Sequence, residues 1–168
     1  MSSTHFKGVA VELSGEVPKV GDQVTDFSLT GLDLNDFTID RYKGVRLVMN
    51  IFPSIDTGIC AMSVRRFNEE ASRLKNAKVL CISRDLPFAQ NRFCGAEGIE
   101  NVDMGSDMRP ESNFGQEYGL VQMGGPLAGT LGRVVIILDE DHEVIYSEVV
   151  PEITQEPNYE AALAVLQS

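Results

Sequence analysis

Apolar side chains run through Leu47, Val48 and Met49 and, past Asn50, through Ile51 and Phe52. A run of this length predicts a short buried strand. Pro53 ends it, because proline brings no N–H to a sheet ladder. After a polar loop the pattern changes, and Val64, Phe67, Ala71 and Leu74 recur at the spacings of three or four that mark a helical stripe. Cys60 is therefore expected in or near the first turn of a helix leaving the C-terminal end of a central strand. Unpaired N–H groups and the positive end of the helix dipole converge there, and such surroundings draw a thiol toward its reactive thiolate.

The same reading covers the rest of the chain. Weak alternation from Thr4 to Leu13 around Lys7-Gly8 predicts an N-terminal hairpin. Short strands are expected over Asp26–Thr30 and Phe37–Ile39, with one helical turn over Asp40–Gly44 closed by its glycine. Lys78–Ser83 reads as a second buried strand, and a helix from about Leu86 to Glu97 carries Cys94. A short strand at Val102–Gly105 and a short helix over Glu111–Tyr118 come next, then a glycine-rich loop to Gly132. Arg133–Leu138 is the strongest strand signal in the chain, with Glu143–Val150 as its hairpin partner and a helix from Asn158 at the end. Strands alternating with helices, closed by a hairpin and a helix, predict an α/β sandwich. No repeat, low-complexity tract or long linker divides it, so one domain over 1–168 is expected.

Composition removes several function classes. The formal charge is -11, which opposes a nucleic-acid backbone and an anionic membrane surface. No stretch approaches the roughly 18 apolar residues of a membrane span. MSSTHFKG lacks the basic start and apolar stretch of a secretory signal. Three cysteines, an odd number, do not suggest a secreted disulfide framework. A reducing cytoplasm is the expected compartment, where a cysteine pair is more often catalytic than structural.

Cys60 leads the candidates for chemistry. Thr57, three positions earlier, can turn its hydroxyl toward the same pocket, and Pro53 can shield the sulfur from water. Histidine is scarce, only His5 and His142, so Arg133 at the head of the strongest strand is the better cation to stand beside the thiol; the alternative is a solvated strand-end arginine. Cys81 sits among Val79, Leu80 and Ile82 and reads as a buried, inert thiol. Cys94, in NRFCGAEG, is expected to be exposed and mobile, and spacing alone does not pair it with Cys60. No HExxH, CxxC, GxxxxGK[ST] or GxGxxG pattern is present.

Pro53, Thr57 and Cys60 fit P-x-x-x-T-x-x-C, the motif of the peroxiredoxins. FPSIDTGIC, with CISRDLPFAQNRFCGAEG downstream, resembles the atypical two-cysteine thiol peroxidases of that family, over essentially the whole chain. The resemblance implies a thioredoxin-like fold, a central mixed sheet flanked by helices with an added N-terminal β-hairpin, and a homodimer. It implies Cys60 as the peroxidatic cysteine, Cys94 as the resolving cysteine that forms an intramolecular disulfide with it, and Arg133, Thr57 and Pro53 as pocket residues. Hydrogen peroxide and organic hydroperoxides would be the substrates, thioredoxin the reductant, and no cofactor or metal would be needed.

Three other readings compete. A dithiol oxidoreductase on the same fold would want a close CxxC pair, which is absent. An acidic interaction domain would leave all three thiols equally slow. A Cys–His hydrolase would need His142 as the base beside the thiol.

Overall fold

Strand β5 (Arg46–Ile51) runs through the middle of the sheet, and its alternating side chains divide the protein into two cores. Leu47, Met49 and Ile51 face one way, Val48 the other, as the two-residue period of a strand requires. The computed structural model describes residues 2–167. Around β5 lie β3 (Ser28–Thr30), β4 (Asp36–Thr38), β6 (Ala77–Ser83), β7 (Asp103–Ser106), β8 (Val134–Leu138) and β9 (Val144–Val149), in the order β4-β3-β7-β6-β5-β8-β9. The β5–β6 and β6–β7 pairs are parallel, the others antiparallel. The expected mixed sheet is present.

Helices α1 (Gly58–Ala71) and α2 (Pro87–Glu97) connect the parallel strands. They share one face of the sheet with α4 (Tyr159–Ala164): Val64 and Phe67 of α1, Phe93 and Cys94 of α2, and Ala162 and Leu163 of α4 pack on Val48, Val79 and Val135. The opposite face is covered by Phe27, Phe37, Tyr42, Phe114 and Tyr118. Of these, Tyr42 closes a 3₁₀ turn (Ile39–Tyr42) and Phe114 opens the short helix α3 (Phe114–Glu117). The helix expected from Glu111 begins only at Phe114, because Asn113 adopts a left-handed conformation, φ 54°, that interrupts any earlier turn.

The N-terminal hairpin, β1 (Ser3–Phe6) and β2 (Val9–Glu12), stands apart from the large sheet. Lys7 and Gly8 both have positive φ, 51° and 83°, as a tight two-residue turn between twisted strands demands. The hairpin is tied to the segment after β9. The Thr4 hydroxyl donates to the Val150 carbonyl at 2.8 Å, and Ile153 N–H to the His5 carbonyl at 2.8 Å. No helix among the described residues is long and apolar enough to cross a membrane.

Candidate active site

Strand β5 ends at Ile51, and Pro53 turns the chain into a loop that starts α1 two residues before Cys60. Thr57 stands at the N-cap position with extended backbone, yet its side chain does not cap the helix. Its hydroxyl donates instead to the Ser54 carbonyl at 3.1 Å. The first N–H groups of α1 thus receive no cap from Thr57 and stay available to an anion. The Cys60 carbonyl is held by the Ser63 hydroxyl at 2.8 Å, and Ser63 in turn receives the buried Asn50 amide at 3.2 Å.

Arg133 reaches this turn from the far side of β5, just ahead of β8. It is 2% exposed, so the solvated strand-end alternative does not hold. Its Nε donates to the Ile153 carbonyl at 2.8 Å and its Nη2 to Cys60 Sγ at 3.3 Å. Nη1 is buried and has no hydrogen-bond partner among the described residues. Neither partner of the guanidinium is a carboxylate. A buried cation without an anion is costly, on the order of several kcal/mol, and the sulfur of Cys60 is the group that these contacts offer to balance it.

A cavity of about 110 Å³ opens over this arrangement. Pro53, Thr57 and Gly58 form one wall, with Arg133 beside them. Phe6 from the hairpin, Leu127 and Ile153 add apolar side chains to its lining. Cys60 itself is fully buried behind these residues, and Arg133 is the side chain that both touches the sulfur and borders the cavity. A larger cavity, about 500 Å³, lies between Arg84, Met108 and Asn113 and is bordered by no cysteine.

All three cysteines are free, and all three lie in the core cluster on the α1–α2 face. Cys81, on β6, is fully buried; burial pushes its thiol up to about 12 against the pull of the Asn50 amide at 3.7 Å. Cys94 corrects an expectation. It is 7% exposed rather than surface-mobile, because α2 turns Phe93 and Cys94 together onto the sheet, and burial raises its thiol as well. His142 lies in the β8–β9 turn with its ring against the Tyr42 carbonyl, 3.4 Å away, so no bond to Cys60 supports the hydrolase reading.

Two carboxylates that the sequence did not single out support the site. Asp85 binds the loop before α1: it accepts from Ser54 Oγ at 2.8 Å and Ile55 N at 2.7 Å. Glu152 accepts from Lys7 N, Gly8 N and Thr154 N, joining the hairpin to the segment whose Ile153 carbonyl holds Arg133. No residue pattern flags either one, since a loop carboxylate reads in sequence as a solvated charge.

The family model described as Redoxin matches residues 19–163. Over 166 residues the chain is 52% identical to the thiol peroxidase of Corynebacterium glutamicum and 50% identical to that of Mycobacterium tuberculosis, with 99% of each chain covered. Among solved structures it is similar to a peroxiredoxin-like protein from Aquifex aeolicus, with a TM-score of 0.92 and 36% identity across 99% of this chain and 96% of that one. A thiol peroxidase from Chromobacterium violaceum has the same fold, TM-score 0.90, covering 99% of this chain and 96% of that one, at 20% identity.

Proposed function

We propose a reaction course for this chain, which belongs to the Redoxin family and is a thiol peroxidase, in which Cys60 is the peroxidatic cysteine and Cys94 resolves it. The observation that carries this reading is the Arg133 Nη2 contact to Cys60 Sγ at 3.3 Å, at a helix start left uncapped and beside a small, largely apolar cavity.

The Cys60 thiolate attacks one oxygen of the hydroperoxide in line with the O–O bond. An S–O bond forms, the O–O bond breaks, and the departing oxygen leaves as alkoxide or hydroxide and takes up a proton. Sulfur is oxidised by two electrons and the peroxide reduced to alcohol or water, leaving a sulfenic acid on Cys60. Thr57 gives its own proton to the Ser54 carbonyl, so its oxygen is free to accept from the peroxide O–H. Arg133 and the first N–H groups of α1 stabilise charge as it develops on the departing oxygen. Pro53 closes the wall against water.

The Cys94 thiol then displaces hydroxide from the sulfenic sulfur, giving a Cys60–Cys94 disulfide and one water. Reduction by the dithiol of thioredoxin, through thiol–disulfide exchange, restores both thiols. Phe6, Leu127 and Ile153 in the cavity wall suit an organic hydroperoxide as well as hydrogen peroxide. The reading extends to a single domain acting as a cytoplasmic homodimer, with Leu86 and Phe88 of the α2 start exposed as apolar surface for a partner.

The test is a thiol count by mass spectrometry on reduced protein before and after one equivalent of hydrogen peroxide. Loss of two thiols, mapped as a Cys60–Cys94 bond within one chain with Cys81 free, is the expected result. Survival of all three thiols would overturn it.

A further inference from the structure

We propose that Asp85 is a positioning residue for Cys60, and that by joining the Cys60 loop to the base of the Cys94 helix it sets the balance between peroxide attack and disulfide formation. This rests on the disulfide reading above.

Asp85 lies between β6 and α2, and its carboxylate serves both sides of the site. Oδ1 accepts from Ser54 Oγ at 2.8 Å; Oδ2 accepts from Ile55 N at 2.7 Å and from Ser83 Oγ at 2.6 Å. Hydrogen bonds to an ionised acceptor are the strong ones, roughly twice a neutral pair. The loop so held sets the start of α1, because the Ser54 carbonyl takes both the N–H and the hydroxyl of Thr57 and the Thr57 carbonyl takes Ala61 N. Ile55, 1% exposed, plugs the same core cluster that holds Cys60.

The other side of the junction runs to the resolving cysteine. Ser83 Oγ, which donates to Asp85, accepts from Gln90 Nε2 at 3.2 Å. Gln90 is buried one turn ahead of Cys94 on α2. The Asp85 carbonyl is itself pinned by Ser106 Oγ, so the junction is fixed to β7 and does not drift with either segment.

Held this way, Cys60 stays against Arg133, ready for peroxide. Disulfide formation asks the opposite: Cys60 must leave Arg133 and meet Cys94. A sulfenic acid detained in the pocket can instead meet a second peroxide, which adds an oxygen to sulfur, loses its own O–O bond and leaves a sulfinic acid and an alcohol. The Asp85 ties therefore favour attack and slow resolution.

The experiment uses Asp85→Asn in the full-length reduced protein, with peroxide consumption, disulfide formation and sulfinic-acid formation each followed by rapid mixing and mass spectrometry. An amide of the same shape offers one acceptor oxygen where the carboxylate offers two. The expected result is a split: attack slows about 10-fold, as loss of a reactive geometry does, while disulfide formation speeds up and a higher peroxide dose is needed for sulfinic inactivation. Should Asp85→Asn fail to fold, Ser54→Ala removes the Oδ1 tie, together with the longer Asp56 N bond to Ser54 Oγ at 3.2 Å, while both Oδ2 ties stay, and is expected to move the same quantities the same way by less. Both rates unchanged, or both slowed together, would overturn the inference. Absence of the Cys60–Cys94 disulfide in the unaltered protein would instead overturn the reading on which it rests, and this inference with it.

Discussion

The Nη2 of Arg133 lies 3.3 Å from the sulfur of Cys60, across 73 positions of sequence, and no carboxylate competes for it among its hydrogen-bond partners. The guanidinium is anchored by Nε on the Ile153 carbonyl, so its planar fork presents the remaining N–H groups in a fixed direction. Replacing Arg133 by Ala removes that donor and the positive charge together. Peroxide attack is expected to slow by about 10²-fold or more, the usual cost of losing one donor to a developing oxyanion. Stopped-flow kinetics of the reduced protein measure it, with the ultraviolet absorbance of the thiolate as a second readout. An unchanged rate would remove Arg133 from the mechanism.

The anchor of Arg133 depends in turn on the hairpin. Ile153 N–H donates to the His5 carbonyl, and Glu152 takes the N–H groups of Thr154, Gly8 and Lys7. The Thr154 bond, then the Gly8 bond, hold the Glu152 carboxyl down at about 2. A carboxyl lowered by folding adds stability above its unfolded value of about 4.3, and that stability drains away as pH falls toward the folded value. Hydrogen-exchange protection at Lys7 and Gly8 is thus expected to weaken between about pH 4.5 and pH 2. In Glu152→Gln it should already be weak at neutral pH. Protection independent of both would mean that the hairpin is held by its other contacts alone.

Much of this architecture was legible because periodicity reports burial directly. The unbroken apolar run of β8 and the stripe Val64, Phe67 and Ala71 of α1 each announce the face they bury. Cys60 at a helix start followed from where that period changes. What escaped were contacts between distant segments. Cys94 looks exposed because NRFCGAEG is amphipathic and puts a glycine directly after it, but α2 turns Phe93 and Cys94 inward onto the sheet and leaves Phe88 outside. Asp85 and Glu152 gain their importance only from which N–H and O–H donors the fold brings to them. That information lies in the topology and in no local pattern.

Alkaline pH tests the buried thiols. Burial pushes Cys81 up to about 12 and raises Cys94 in the same direction. Below about pH 8.5, where an unfolded thiol still keeps its proton, the two states bind protons alike and stability is unaffected. Above that the unfolded chain ionises first, so stability falls as pH rises toward the folded value. The buried hydroxyls of Tyr42, Tyr118 and Tyr159 are raised too, but unfolded tyrosine ionises only near about 10. Between those limits the decline in thermal midpoint belongs to cysteine. Cys81→Ser should flatten it while leaving peroxide turnover intact, and a midpoint profile unaltered by the substitution would assign the decline elsewhere.

Cys60 is in the first turn of α1, tied to Arg133 by its sulfur and to Ser63 by its carbonyl. Cys94 is in the last turn of α2, where its carbonyl takes the N–H groups of Gly98 and Ile99. A disulfide needs Cα atoms roughly 4.4–6.8 Å apart with the Cβ vectors facing, and Cys60 and Cys94, free and buried on different helices of one core cluster, are each held by the helix turn around them. Gly58 at the start of α1 and Gly98, at φ 66° past the end of α2, are where the backbone gives most easily. Hydrogen-exchange mass spectrometry of the oxidised protein is therefore expected to show lost protection over 58–63 and 94–98, with β5 and β6 unchanged. Helical protection retained around both cysteines would mean that the bond forms without unwinding, and that the two thiols already meet through side-chain rotation alone.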